Sequence, residues 1–189
     1  MIALTFDDGP DPTWTPRVLD VLAAAGARAT FFPLSPRMAE HPGLVARMHA
    51  EGHLVGLHGW DHLRHTDHDR ATIEADTDRA LAVFAEPPAW WRLPWGRAAP
   101  WSAEIAAARG LRIAGWTHDT HDWRGDAAEA MGDPPEGSIV LAHDALGPGA
   151  TRVDCSETAR FVERVLAAGR VAVRLDELRV AGPHDHRGG

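Results

Sequence analysis

Ile2-Ala3-Leu4-Thr5-Phe6-Asp7-Asp8-Gly9-Pro10 reads as an apolar β-type run that carries two adjacent carboxylates into a sharp Gly-Pro turn. Such a run is expected to be a buried strand, and in barrels and open α/β sheets the C-terminal ends of strands are where chemistry is done. Neighbouring side chains on extended backbone point apart, so Asp7 and Asp8 should serve different partners. Turn propensity alone also accounts for Asp-Asp-Gly-Pro. A site is favoured because His, Arg and Asp residues recur at later strand ends.

Working outward, six further short apolar runs follow, at 29–32, 53–57, 89–93, 111–116, 138–142 and 171–173. Helical periodicity lies between them: 15–25, 42–52, 69–84 with Asp69 at its start, Ser102 (read as a cap) to Gly110, a short piece at 127–131, and a last helix from Ser156. Seven strands alternating with helices imply parallel, right-handed βα connections. The 189 residues fall short of the roughly 250 typical of an eight-fold barrel. The expected fold is therefore α/β, a distorted, irregular (β/α) barrel of about seven parallel strands. A flat doubly wound sheet is the alternative. One catalytic domain over 1–180 is expected, with 181–189 a flexible polar tail.

Composition excludes several classes of partner. A net charge of -8 disfavours nucleic acid, which demands clustered Lys and Arg. There is no run of 18 apolar residues, hence no membrane span. Cys155 is the single cysteine, so no internal disulfide forms, and it reads as a packed or helix-capping residue. The chain enters its first strand at Ile2, without room for a basic, apolar signal segment. As it stands that implies a cytoplasmic protein; a secreted one would need a leader removed ahead of Met1. The sequence does not indicate an oligomeric state.

The 12 His residues are informative through their placement. His58 and His62, four apart, directly follow an apolar run, whereas the rival series His62, His65, His68 lies in a polar approach to a helix. His41, His49 and His53 read as surface or helix-end positions. Two imidazoles and one carboxylate make a common catalytic zinc set with a position left for water, so the expected ligands are Asp8, His58 and His62. The expected cofactor is a divalent metal, zinc first, with cobalt or another transition metal as alternative.

An activated water needs a proton acceptor and the leaving group needs a donor. Asp7, beside the metal ligand, is the candidate base. Arg92 offers a planar guanidinium to orient it; the competing reading is an edge-strand Arg pointing outward. His143 closes the run 138–142, and Asp122 would favour its protonated form and make it a general acid. Trp123 and Leu141 would line a small apolar pocket beside the reacting carbon, and Trp14, Trp60 and Trp101 lie near expected outlets, where aromatic faces suit sugar rings.

Together these residues resemble the polysaccharide deacetylase, or NodB-homology, family of carbohydrate esterases. Five ordered motifs have counterparts over residues 5–143, about three quarters of the chain. They are Thr5-Phe6-Asp7-Asp8-Gly9-Pro10, His58-Gly59-Trp60-Asp61-His62, Arg92-Leu93-Pro94-Trp95-Gly96, Asp119-Thr120-His121-Asp122-Trp123 and Leu141-Ala142-His143. The resemblance implies a distorted (β/α) barrel, Asp7 as base, Asp8, His58 and His62 as metal ligands, Arg92 tethering the base and His143 as acid. It adds Pro94 and Trp95 to Trp123 and Leu141 as substrate-facing residues, with the Trp95 N–H donating to an oxyanion. Two positions depart from the family pattern: Gly59 where Ser or Thr is usual, losing a hydroxyl that steadies the metal loop, and Trp95 where Tyr is common. The expected activity is metal-dependent hydrolytic removal of acetyl groups from N-acetylated sugars of chitin or peptidoglycan type, with O-acetyl xylan a further substrate. The alternatives are a deacylase of a small cytosolic amide or sugar conjugate, and a metal-retaining carbohydrate-binding protein without turnover.

Overall fold

The structure is a computed structural model and describes residues 1–178; the expected tail at 181–189 lies outside them. Strand β1 (Ile2–Asp7) is buried at all six positions, as a parallel strand covered on both faces must be. Its period of two sorts the side chains. Ile2, Leu4 and Phe6 enter a core with Leu19, Phe161 and Val165. On the other face Ala3 packs with Phe32 and Leu175, while Thr5 and Asp7 meet Arg92.

Seven more strands follow: β2 (Thr30–Phe32), β3 (Leu54–Val55), β4 (Trp90–Trp91), β5 (Arg112–Ile113), β6 (His118–Asp119), β7 (Ile139–His143) and β8 (Ala172–Val173). The main sheet runs β3-β2-β1-β7-β6, with β8 paired to the first two residues of β1. Strands β4 and β5 form a second, two-stranded sheet, joined to the first by a bridge between Leu57 and Trp91. Every ladder is parallel. No ladder joins β5 to β6 among the described residues. The sheet therefore curls into a distorted barrel left open on that side.

Helices α1 (Trp14–Ala24), α2 (Ser35–Glu40), α3 (Pro42–Ala50), α4 (Arg70–Leu81), α5 (Ser102–Ala108) and α6 (Ser156–Ala167) complete the fold. In α6, Thr158, Phe161, Val162 and Val165 are buried, the i, i+3, i+4, i+7 stripe of a helix with one face on a core. Asp69 caps α4, its carboxylate accepting the Thr72 N–H at 2.8 Å.

Several expectations change. The strand count rises to eight because His118–Asp119 pairs with Val140 and Leu141, and α2 (Ser35–Glu40) forms where no helix is expected from the sequence. Residues 127–131 form turns rather than a helix; so short a segment cannot repay helix nucleation. Helix α4 stops at Leu81, and Phe84 turns back to pack between the two main cores. Ser102 opens α5 without capping it; its Oγ instead accepts the Ala99 N–H and bonds His65 Nδ1. His53 is not at the surface: it is buried and its Nδ1 accepts the Ala29 N–H at 3.1 Å. His65 is likewise buried, between Trp91 and Trp101, and burial pushes it down to about 4. Cys155 is buried at the head of α6, and burial pushes its thiol up to about 12. An inert packed thiol results.

Candidate metal and acid–base site

The C-terminal ends of β1, β3, β4, β6 and β7, with the loop after β5, surround a cavity of about 400 Å³. Four non-glycine residues among those described have left-handed backbone, Asp8, His62, Trp95 and His121, and all four line this cavity. Such conformations cost energy and persist only where the surroundings enforce them, typically at functional sites.

Asp8 and the two imidazoles form the centre. The Asp8 Oδ1 lies 3.4 Å from both His58 Nε2 and His62 Nε2. Two ligands about 2.1 Å from one tetrahedral ion would stand about 3.4 Å apart, so this donor set fits a divalent cation. The Asp8 Oδ1 is also buried without a hydrogen-bond partner among the described residues. His58 gives its Nδ1–H to the Arg92 carbonyl at 2.8 Å, so Nε2 faces the centre. Burial opposes charge on Asp8, yet His58, then His143 and His62, hold its carboxyl well below the usual carboxylate range. Burial and the neighbouring His58 push His62 down to about 4, leaving a neutral imidazole. Arg37 on α2 fixes the strained Asp8 backbone by donating to its carbonyl and to that of Leu146. Gly147 lies so close to the Asp8 carboxylate that a Cβ there would fall 1.7 Å from Oδ2; only glycine fits that approach.

Asp7 points into the barrel instead. Arg92 is fully buried, not an outward edge residue. Its Nη1 reaches both Asp7 oxygens at 3.3 Å, Nη2 donates to Thr5 Oγ1 and the Gly115 carbonyl, and Nε donates to the Ala114 carbonyl. One guanidinium thus spans the barrel interior from β1 to the residues after β5. On the neighbouring strand β7, in register with Asp7, His143 gives Nδ1–H to Asp122 Oδ1 at 2.7 Å, leaving Nε2 for other work. Burial opposes the charge on each partner, but their attraction prevails: Asp122 pushes His143 up to about 9, and His143 with Arg152 holds Asp122 far below its ordinary value.

Of the expected substrate-facing residues, Trp95, Trp123 and Leu141 line the cavity. Pro94 does not; it is buried next to Gly59. The Trp95 N–H has no partner among the described residues. Its indole is engaged: Nε1 donates to the His62 carbonyl at 3.1 Å, with His62 and Arg64 against the ring. Trp14, Trp60 and Trp101 stand away from the cavity, and Trp14 and Trp60 are covered by Arg17 and Arg79. Sequence reading missed Trp116, taken as a strand residue, and Arg152, which donates to Asp122 Oδ2 at 2.9 Å and to the carbonyls of His143 and Ala145. Arg152 sits in a loop without periodicity, so no local signal marks it.

Fold and site together define an incompletely closed parallel α/β barrel whose strand ends carry an Asp-His-His triad suited to a divalent metal. The chain belongs to the polysaccharide deacetylase family, whose profile matches residues 1–114. It is 36% identical over 186 residues to a peptidoglycan-N-acetylglucosamine deacetylase of Listeria monocytogenes, covering 94% of this chain and 38% of that protein. It is 37% identical over 158 residues to a chitooligosaccharide deacetylase of Rhizobium leguminosarum bv. trifolii, covering 78% and 73%. Among solved structures, a family 4 acetyl xylan esterase from Clostridium thermocellum in complex with a cobalt ion superposes with a TM-score of 0.78 at 26% identity, covering 94% of this chain and 89% of that one. The chain thus spans well under half of the Listeria relative. No helix among the described residues is long and apolar enough to cross a membrane.

Proposed function

We propose that this chain is a divalent-metal-dependent deacetylase that hydrolyses the acetamido group of N-acetylated sugars of peptidoglycan or chitin type. The observation that carries this is the convergence of Asp7, His143 and the Asp8-His58-His62 triad on one cavity, with base and acid each held by its own buried partner. A cation held by Asp8, His58 and His62, for which zinc is the natural choice and cobalt the alternative, would polarise the acetyl carbonyl and bring the pKa of a water toward about 7.

The chain's own groups do the rest. Asp7, gripped at both oxygens by Arg92, accepts the proton of the attacking water. The unpartnered Trp95 N–H is the donor available to the developing oxyanion. His143, oriented through Nδ1 by Asp122, delivers its Nε2 proton to the departing nitrogen. Water adds, the C–N bond breaks, and acetate and a free sugar amine leave. The likeness to an acetyl xylan esterase supports O-acetyl xylan as a second substrate.

The test is acetate release from chitooligosaccharides, peptidoglycan fragments and acetyl-xylan, with and without chelator. Asp7→Asn should retain metal while turnover falls by roughly 10²-fold to 10⁴-fold. Near wild-type turnover in that metal-loaded variant would remove Asp7 from the base role, and turnover indifferent to chelation would reject the mechanism.

A further inference from the structure

The loop between the two metal-ligating histidines carries no side chain at Gly59, whose φ of +104° favours glycine. Its backbone is held from outside: the Ser35 N–H of α2 donates to the Gly59 carbonyl at 3.1 Å, the Trp95 indole donates to the His62 carbonyl, and α4 engages the two residues between them. The Asp76 carboxylate accepts the Trp60 N–H through Oδ2 at 3.0 Å and the Asp61 N–H through Oδ1 at 2.9 Å. One helical turn on, Arg79 lies over the Trp60 ring, 3.9 Å from its centroid. Positions 76 and 79 share a helix face, so α4 grips the loop twice. The fit is mutual: a Cβ on Gly59 would come 3.1 Å from Asp76 Oδ2.

Taking the triad as the metal site proposed, we infer that Asp76 is a positioning residue that sets the spacing of His58 and His62 by clamping the backbone between them. It touches neither the metal nor the substrate. A carboxylate accepting two N–H bonds is a stronger tether than a single neutral acceptor, and it acts on residues that lie between the ligands. Losing it should leave the fold, because Asp76 belongs to none of the hydrophobic cores, and loosen the ligands.

The experiment measures Co²⁺ binding, by its visible absorption and by competition with a chelator, on wild type, Asp76→Ala, Asp76→Asn and Gly59→Ala, alongside metal-free melting. Asp76→Ala should weaken Co²⁺ binding about 10-fold to 100-fold, the range seen when supports of metal ligands are removed. Asp76→Asn, which keeps one acceptor oxygen, should fall between it and wild type and serves if the Ala variant does not fold. Gly59→Ala should weaken binding too, and the metal-free midpoints of the Asp76 variants should match wild type. Binding within twofold of wild type in folded Asp76 variants would overturn the inference, as would a lowered metal-free midpoint with unchanged affinity. Failure of wild type itself to bind Co²⁺ would instead reject the metal site on which this role depends.

Discussion

Replacing Asp122 by Asn strikes the acid–base arrangement where one charge does most. Burial works against a charged His143, yet the Asp122 carboxylate at Nδ1 overrides it, with Asp8 and Asp7 adding, and lifts the imidazole from 6.5 to about 9. That corresponds to roughly 3 kcal/mol in favour of the charged form. Asn is nearly the same size but neutral, so it removes the largest attraction and leaves burial in force. His143 should then titrate at or below 6.5. At about pH 7.5 its protonated fraction drops from nearly all to about one tenth, so acid-dependent turnover falls about tenfold from population alone. Two readouts apply: NMR titration of the His143 imidazole, and the alkaline limb of kcat/KM. Stability responds as well. A value raised in the folded state means a contribution that is full below 6.5 and lost as pH rises through about 9. Denaturant midpoints should fall over that interval in wild type, and less in the variant. An Asn variant whose imidazole still titrates near 9 would refute the reasoning, because something other than Asp122 would then hold the charge.

Arg92→Ala strips the buried Asp7 carboxylate of its counter-charge and leaves two carbonyls without their donor, so unfolding in urea should show a loss of about 3–5 kcal/mol; a loss under about 1 kcal/mol would mean that water replaces the guanidinium. Asp144 is buried with no partner for Oδ1 among the described residues, and burial pushes its carboxyl from 3.8 up to about 7. Ionising it in the folded state is therefore costly, so the stability gained by Asp144→Asn should grow from about pH 4 to about pH 7 and then level off. A thermal-midpoint difference independent of pH would contradict that. Metal at about 100 times its dissociation constant should stabilise the protein by about 2.7 kcal/mol, or roughly 5–10 °C in melting midpoint; chelation should remove this gain in wild type and have no effect in His62→Ala.

Local features were legible before any coordinates. Strand β1 announces itself because six consecutive residues are buried and β-type, and Asp69 marks the start of α4 by a cap that needs only residues three apart. His58 and His62 stand out because they follow a strand at a spacing short enough to face one point. The illegible parts lack such a signature. Strand β6 is two polar residues, extended only because β7 offers it a ladder. His53 reads as a surface or helix-end position and His65 as part of a polar approach to a helix, yet neighbouring aromatic rings bury both. Asp76 looks like one more acid on the solvent face of a helix, and Arg152 like a loop arginine, until their partners are known.

The sequence by itself determined the alternation of seven of the eight strands with helices and which carboxylate, imidazole and guanidinium groups stand near strand ends, because hydrophobic periodicity and turn chemistry act over a few residues. Only the tertiary structure decided which of those groups share a cavity. Asp8 meets His58 fifty positions away, Arg92 crosses the barrel to Asp7, and Asp76 reaches back to the loop between His58 and His62. Such meetings depend on strand register, on where the sheet fails to close and on which buried charges find a partner, and these are set by packing of the whole chain rather than by any stretch of it.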